Sequence, residues 1–239
     1  MNFFDKYTSN YDMTIKENNY KYHHSYRVME QMLTLAKNMS LPSKDIELAK
    51  CIGLLHDIAR FEQFKRYSNF NDDVFDHGNY AVEILKETDA LKHFEVDESD
   101  YEVVYKAIKN HNKYAIEANL TPRELLFAKM IRDADKLDIL YAIGNDKLKG
   151  IVYEDDSEIS KRVENDFYHH KLIKRNFKEN ENENLVVLFS FVFDFNFTIS
   201  LKLIKHNEYY QKIYNRLTHK DLFLPYIEYI NKYIAERTE

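Results

Sequence analysis

Glycine and proline are scarce in this chain, four and three residues among 239, which removes the turn punctuation that a many-stranded sandwich or barrel requires. Long helices are the expected architecture. Cysteine is nearly absent. Cys51 alone excludes an internal disulfide framework, and its place in the apolar run Cys51-Ile52-Gly53-Leu54-Leu55 reads as a packed core thiol rather than a nucleophile. There is no cationic excess: the net charge of -6 argues against a surface that coats a nucleic-acid polymer, although a local basic pocket can still hold a phosphate. The amino terminus, Met1-Asn2-Phe3-Phe4-Asp5-Lys6, lacks the apolar stretch of a secretory signal, so a reducing, cytoplasmic location is expected. The long apolar run Leu185 to Ile204 is interrupted by Asp194, Asn196 and Lys202 at a heavy insertion cost, which favours a buried helix and no membrane.

The residues present, 44% hydrophobic and 31% charged, are enough for one large all-α domain over 1–239. A core over about 20–145 would be followed by a helical extension, with a flap or surface loop inside 146–184. From Tyr22 onward His24, Val28, Met32, Leu35 and Met39 share one helical face, and Leu48, Ile52, Leu55 and Ala59 form a second stripe on which His56 lies. Asp76 is a candidate N-cap for a helix whose core face is His77, Tyr80, Ala81, Ile84 and Leu85. Gly78 there would let a backbone or ligand come close. Ser99-Asp100-Tyr101-Glu102 reads as a capping box before a stripe that ends at His111. Thr121-Pro122-Arg123-Glu124 is the strongest helix start in the chain. Beyond it the phase puts Ala128, Ile131, Asp135, Ile139 and Ala142 on one face and turns Asp133 and Lys136 elsewhere. The repeat Glu179-Asn180-Glu181-Asn182-Glu183-Asn184 reads as a surface loop, the basic run His169 to Lys178 as a solvated face, and Tyr209 to Ile234 as one or two further amphipathic helices with Pro225 as the break.

The stretch with the most chemistry is His56-Asp57, at the end of the Cys51 run. A neutral imidazole and a carboxylate side by side in an apolar setting cost stability unless compensated, and a divalent cation compensates both. Two adjacent residues cannot close a coordination sphere. Their partners should be inward-facing His or Asp on other elements, and His24, His77, His111 and Asp135 meet that description. A lone histidine on an apolar face is ordinarily a hydrogen-bonded core residue; five segments together are hard to explain that way.

The ordered set His24-Ser25-Tyr26-Arg27-Val28, Leu54-Leu55-His56-Asp57-Ile58, His77-Gly78, Ile108-Lys109-Asn110-His111-Asn112 and Ala134-Asp135-Lys136-Leu137 resembles the HD-domain metal-dependent phosphohydrolase superfamily over roughly residues 20 to 145. The resemblance implies an all-α HD-type core with an added C-terminal helical region. It implies that His24, His56, Asp57 and Asp135 hold a first metal, and that His77 and His111 hold a second with Asp57 bridging. Asp133 and Asp138 lie close to Asp135, which is selected by helical phase and by its match to the family's Ala-Asp-x-Leu pattern.

Metal-activated water attacking a phosphoester or phosphoanhydride is the implied chemistry, with Asp57 and Arg60 as catalytic residues and a nucleotide or another small phosphorylated metabolite as substrate. Mixed His and carboxylate ligands suit Fe or Mn first, with Co, Ni, Zn or Mg as other options. Arg27, Arg60, Lys113 and Lys136 are the candidate phosphate contacts. A homo-oligomer is compatible with this reading. Competing readings are a di-iron oxygenase of the inositol oxygenase type, which shares the ligand order, and a non-catalytic module that senses a nucleotide through its metal.

Overall fold

The computed structural model describes residues 2–147, 154–174 and 178–239, which are helical with no strand among them. They form two compact units, one ending at Asp135 and the other beginning at Lys136. The expected flap and basic run fall partly on 148–153 and 175–177, outside the described residues. No helix among the described residues is long and apolar enough to cross a membrane.

The first unit opens with α1 (Phe3–Thr8), whose Phe4 is fully buried. Then come α2 (Lys16–Asn38) and α3 (Ser43–Leu55), which pack along one another. Gly53 makes this approach possible: a Cβ there would lie 2.7 Å from the Met29 Cα. The second apolar stripe does not continue as one helix to Ala59. Instead α3 stops at Leu55, His56 to Ile58 form a turn, and α4 (Ala59–Tyr67) starts afresh. An irregular segment, 68–76, leads to α5 (His77–Glu87), where the Asp76 carboxylate accepts from the Asn79 amide at 3.1 Å as an N-cap.

Short 3-10 turns at Ala90–His93 and Glu98–Asp100 precede α6 (Tyr101–Asn110). The capping box expected at Ser99 to Glu102 is not made. Asp100 occupies the cap position without a side-chain cap bond, and its carboxylate is taken by Arg123 and by Lys44 at 3.0 Å. The Thr121 box does form reciprocally: the Glu124 amide donates to Thr121 Oγ1 at 3.3 Å and the Thr121 amide to Glu124 Oε2 at 2.7 Å. It starts α7 (Pro122–Gly144), which belongs to the first unit as far as Asp135.

The second unit takes α7 from Lys136 and continues through α8 (Lys161–Tyr168), α9 (Glu181–Phe189), α10 (Thr198–Asn207), α11 (Tyr209–Asn215) and α12 (Lys220–Thr238) around Phe167, Phe189, Tyr210, Ile213 and Phe223. Three expectations fail here. The acidic-asparagine repeat is no loop: Asn182 and Glu183 are buried in the first turn of α9. The Asn182 side-chain amide donates to the Asp155 and Ser157 carbonyls, and the Glu183 carboxylate accepts from the Ser160 and Glu179 amides. Leu185 to Ile204 is not one helix but the end of α9, a 3-10 turn at Ser190–Asp194, three extended residues and the start of α10. Pro225 breaks nothing. It sits in the second turn of α12, and the chain turns before Lys220, where the Glu154 carboxylate takes the Thr218 and His219 amides at 2.7 Å each.

Because the Gly53 contact is to backbone, which cannot rotate away, Gly53→Ala is expected to lower stability by about 1–3 kcal/mol, despite the roughly 1 kcal/mol that alanine gains in helix propensity. Urea unfolding of wild type and variant measures this, and equal midpoints would contradict the close α2–α3 approach.

Candidate metal centre

The six residues singled out from the sequence converge in the first unit. His24 lies mid-α2, His56 caps α3, Asp57 follows in the turn, His77 opens α5, His111 caps α6 and Asp135 lies on α7. Asp57, 2% exposed, is the meeting point. Its Oδ2 is 3.3 Å from His24 Nε2 and 3.6 Å from His56 Nε2, while its Oδ1 is 3.4 Å from His77 Nε2 and 3.5 Å from His111 Nε2. Asp135 Oδ1 stands 3.2 Å from His24 Nε2 and 3.8 Å from His56 Nε2. Two triads are spaced to hold an ion, His24 with His56 and Asp135, and His56 with Asp57 and His111. His56 therefore adjoins both halves of the cluster.

Local structure aims these rings. His56 Nδ1 donates to the Gly53 carbonyl at 2.8 Å and His111 Nδ1 to the Ile108 carbonyl at 2.6 Å. A carbonyl only accepts, so these nitrogens carry the protons, and on a neutral ring Nε2 is left as a bare lone pair. Gly78 brings α5 against the end of α6, since a Cβ there would meet Asn112 Oδ1 at 2.6 Å. His77 Nε2 and His111 Nε2 consequently lie 2.9 Å apart. Arg132, buried on α7, donates to the carbonyls of Asn110, Lys113 and Tyr114 and so holds the turn that contains His111.

The cluster is therefore rich in acceptors. His56 Nε2 is buried with no hydrogen-bond partner, two further Nε2 atoms face each other, and all of them face a carboxylate. Mutual repulsion among such atoms is relieved by a cation, and mixed imidazole and carboxylate donors fit a divalent transition metal. The protonation preferences agree. Burial pushes His56 down to about 3, and burial with the nearby Arg60 charge pushes His77 down to about 4, so both rings are neutral near pH 7. Burial alone would raise Asp57. The Lys21 ammonium outweighs it, aided by His56 and by contacts from His111 and His24, and the carboxyl lies well below the ordinary range. Asp135 is held low in the same way: His24 and His56 overcome the effect of burial.

Helical phase misjudged one feature of α7. Asp133 and Lys136, which the phase turns away from the core, are buried, as is Asp138, while the Asp135 side chain is 20% exposed, because this helix is covered almost all round and not on a single stripe. Asp135 is nevertheless the carboxylate that reaches His24 and His56.

The candidate phosphate contacts separate. Arg60 is buried, with Nη1 and Nη2 on the Asp72 carboxylate at 2.6 and 3.3 Å and Nε 3.5 Å from Asp57 Oδ1. Arg27 lies over the Tyr20 ring, which stacks on His24. Lys113 Nζ is 3.8 Å from Asp76, and Lys136, in the second unit, pairs with Asp194 at 2.7 Å. Two residues escaped the sequence reading. Lys21 Nζ lies 2.6 Å from Asp57 Oδ2, and its signal was its place one turn before His24 on the same face. Asp72, 2.8 Å from His77 Nδ1, lies in an irregular segment that has no periodicity to read. Cys51 is a buried free thiol whose pKa burial pushes up, as a core residue and not as a nucleophile.

Residues 22–140, about half of the chain, match the HD domain family. The chain belongs to this HD domain family, and its helical fold and its His/Asp cluster agree with that membership. Comparisons with curated proteins and with solved structures give no match.

Metal-free protein should be acid-sensitive. His56 and His77 bind protons less well folded, at about 3 and about 4, than at the ordinary 6.5, so acid favours the unfolded chain. Stability present above pH 6.5 should fall as pH drops, by about 2 kcal/mol per imidazole between pH 7 and 5. Asp57 and Asp135, held low, withdraw their contribution only below about pH 4. Urea melts of chelator-treated protein across this range measure the loss, and constant stability would contradict neutral buried imidazoles.

Proposed function

We propose that the chain is a metal-dependent phosphohydrolase acting on a phosphoester or phosphoanhydride bond of a nucleotide or another small phosphorylated metabolite. The observation that carries this reading is the Asp57 carboxylate with two imidazole Nε2 atoms facing each of its oxygens. His24, His56, Asp57 and Asp135 would hold one ion, and His77, His111 and the other oxygen of Asp57 a second, with Fe or Mn favoured. When bound, such ions lower the pKa of water and neutralise charge that gathers on phosphoryl oxygens.

The remaining roles belong to the chain itself. Helix ends fix the rings, burial keeps His56 and His77 neutral and ready to ligate, and Asp57 stays ionised. Lys21 joins the phosphate-binding set, because its ammonium lies beside Asp57 and its side chain is 14% exposed. Lys113 is a second candidate. Arg60, held by Asp72 and Asp57, acts by fixing the site and by its charge. A nucleotide would enter as a small ligand, with no polymer and no membrane as partner, and the free buried thiol of Cys51 suits a reducing cytoplasm.

Phosphate release from a panel of nucleotides, dinucleotides and simple esters with added Mn tests this reading. Turnover is expected and should fall about a hundredfold or more in Asp57→Asn. Oxygen consumption with iron and no phosphate release would instead favour the oxygenase reading, and binding without turnover the sensor. Elemental analysis should find close to two ions in wild type and close to one in His77→Ala and in His111→Ala, each still folded. One ion in all three proteins would sink the dinuclear assignment.

A further inference from the structure

His56 and His111 take their Nδ1 partners from carbonyls three residues back on their own helices, so their tautomers are fixed by local backbone alone. His77 differs. Its Nδ1 is 2.8 Å from Asp72 Oδ1, a carboxylate carried by the irregular segment 68–76 between α4 and α5. The Asn112 amide also approaches this nitrogen, at 3.3 Å. An N–H group cannot satisfy a protonated Nδ1, so Asp72 is the group that draws the proton there.

Asp72 is itself bound on its other side. Arg60 holds its carboxylate at 2.6 and 3.3 Å, and Arg60 Nε is 3.5 Å from Asp57 Oδ1, the oxygen that His77 Nε2 faces at 3.4 Å. The contacts therefore close into a ring: Asp57, His77, Asp72, Arg60 and back to Asp57. The segment is tied into place through the same residues. Arg60 Nη1 donates to the Phe70 carbonyl at 3.2 Å and to Gln63 Oε1 at 2.7 Å, while Gln63 Nε2 donates to the Asn71 carbonyl at 2.9 Å.

We infer that Asp72 is a positioning residue for the His77 half of the centre: by holding the proton on Nδ1 it leaves Nε2 bare and aimed at Asp57 Oδ1, which makes the second ion depend on segment 68–76. The inference rests on the dinuclear reading above. An outer carboxylate of this kind fixes ring orientation and raises ligand basicity, and its loss typically weakens metal binding about 10–100-fold. The His24, His56 and Asp135 half is then set by helices alone, and the His77 half only when the segment is seated.

Calorimetric titration of the metal-free full chain with Mn tests this, using wild type and Asp72→Asn, together with nitrogen NMR of the histidine rings in wild type. Wild type should bind two ions. Asp72→Asn should keep the first affinity within about twofold and weaken the second about 10–100-fold, and wild-type His77 should carry its proton on Nδ1. Two ions bound by the variant with unaltered affinities, equal weakening of both ions, or a wild-type proton on Nε2 would each overturn the inference. A wild-type titration that ends at one ion would overturn the dinuclear reading, and this inference with it.

Discussion

A carboxylate withdrawn from water is costly, and Asp57 is almost completely withdrawn, at 2% exposure. Around it the chain gathers four imidazoles, the Lys21 ammonium and the Arg60 guanidinium. Lys21 and His24 arrive together on α2 and the others on separate stretches, so the packing of α2, α3, α4, α5 and α6 is tied to the electrostatics of one side chain. The two glycines at these contacts serve the same end. Gly53 lets α3 come close to α2 and hence His56 to His24, and Gly78 lets α5 come close to the end of α6 and hence His77 to His111. In a chain with only four glycines, two are spent on drawing ligand-type residues together.

The two halves of the cluster are built differently. On the Oδ2 side, His24 and Asp135 lie within long helices and His56 is locked by its own helix end. On the Oδ1 side, His111 is locked in the same manner, but His77 looks outward to Asp72 and, through it, to Arg60. The Oδ1 side therefore draws one of its ring contacts from outside the helices, from the segment between α4 and α5.

Much of this was legible in the sequence because helices repeat on a short period. Inward-facing histidines could be counted on their stripes, and the order His24, His56-Asp57, His77, His111, Asp135 carried the family resemblance. Contacts formed across the chain were not legible. Arg123 meets Asp45 78 positions away with no local pattern to encode it, and Lys21 meets Asp57 36 positions away with only its place one turn before His24 as a signal. The same limit explains the errors. Asp100 looked like part of a capping box until Arg123 and Lys44 claimed its carboxylate, and Asn182 and Glu183 looked like loop until they were found capping neighbouring backbone from inside the second unit. On α7 a one-stripe phase turns Asp133 and Lys136 away from the core, yet the helix is covered nearly all round and both are buried.

The central claim is that Asp57 is shared between two ions. A crystal structure of the Mn-loaded protein with anomalous diffraction tests it directly. Two anomalous peaks about 3.5–4 Å apart, one at each oxygen of Asp57, with His24, His56 and Asp135 around one and His77 and His111 around the other, are expected. A single peak, or a pair that does not share Asp57, would contradict it.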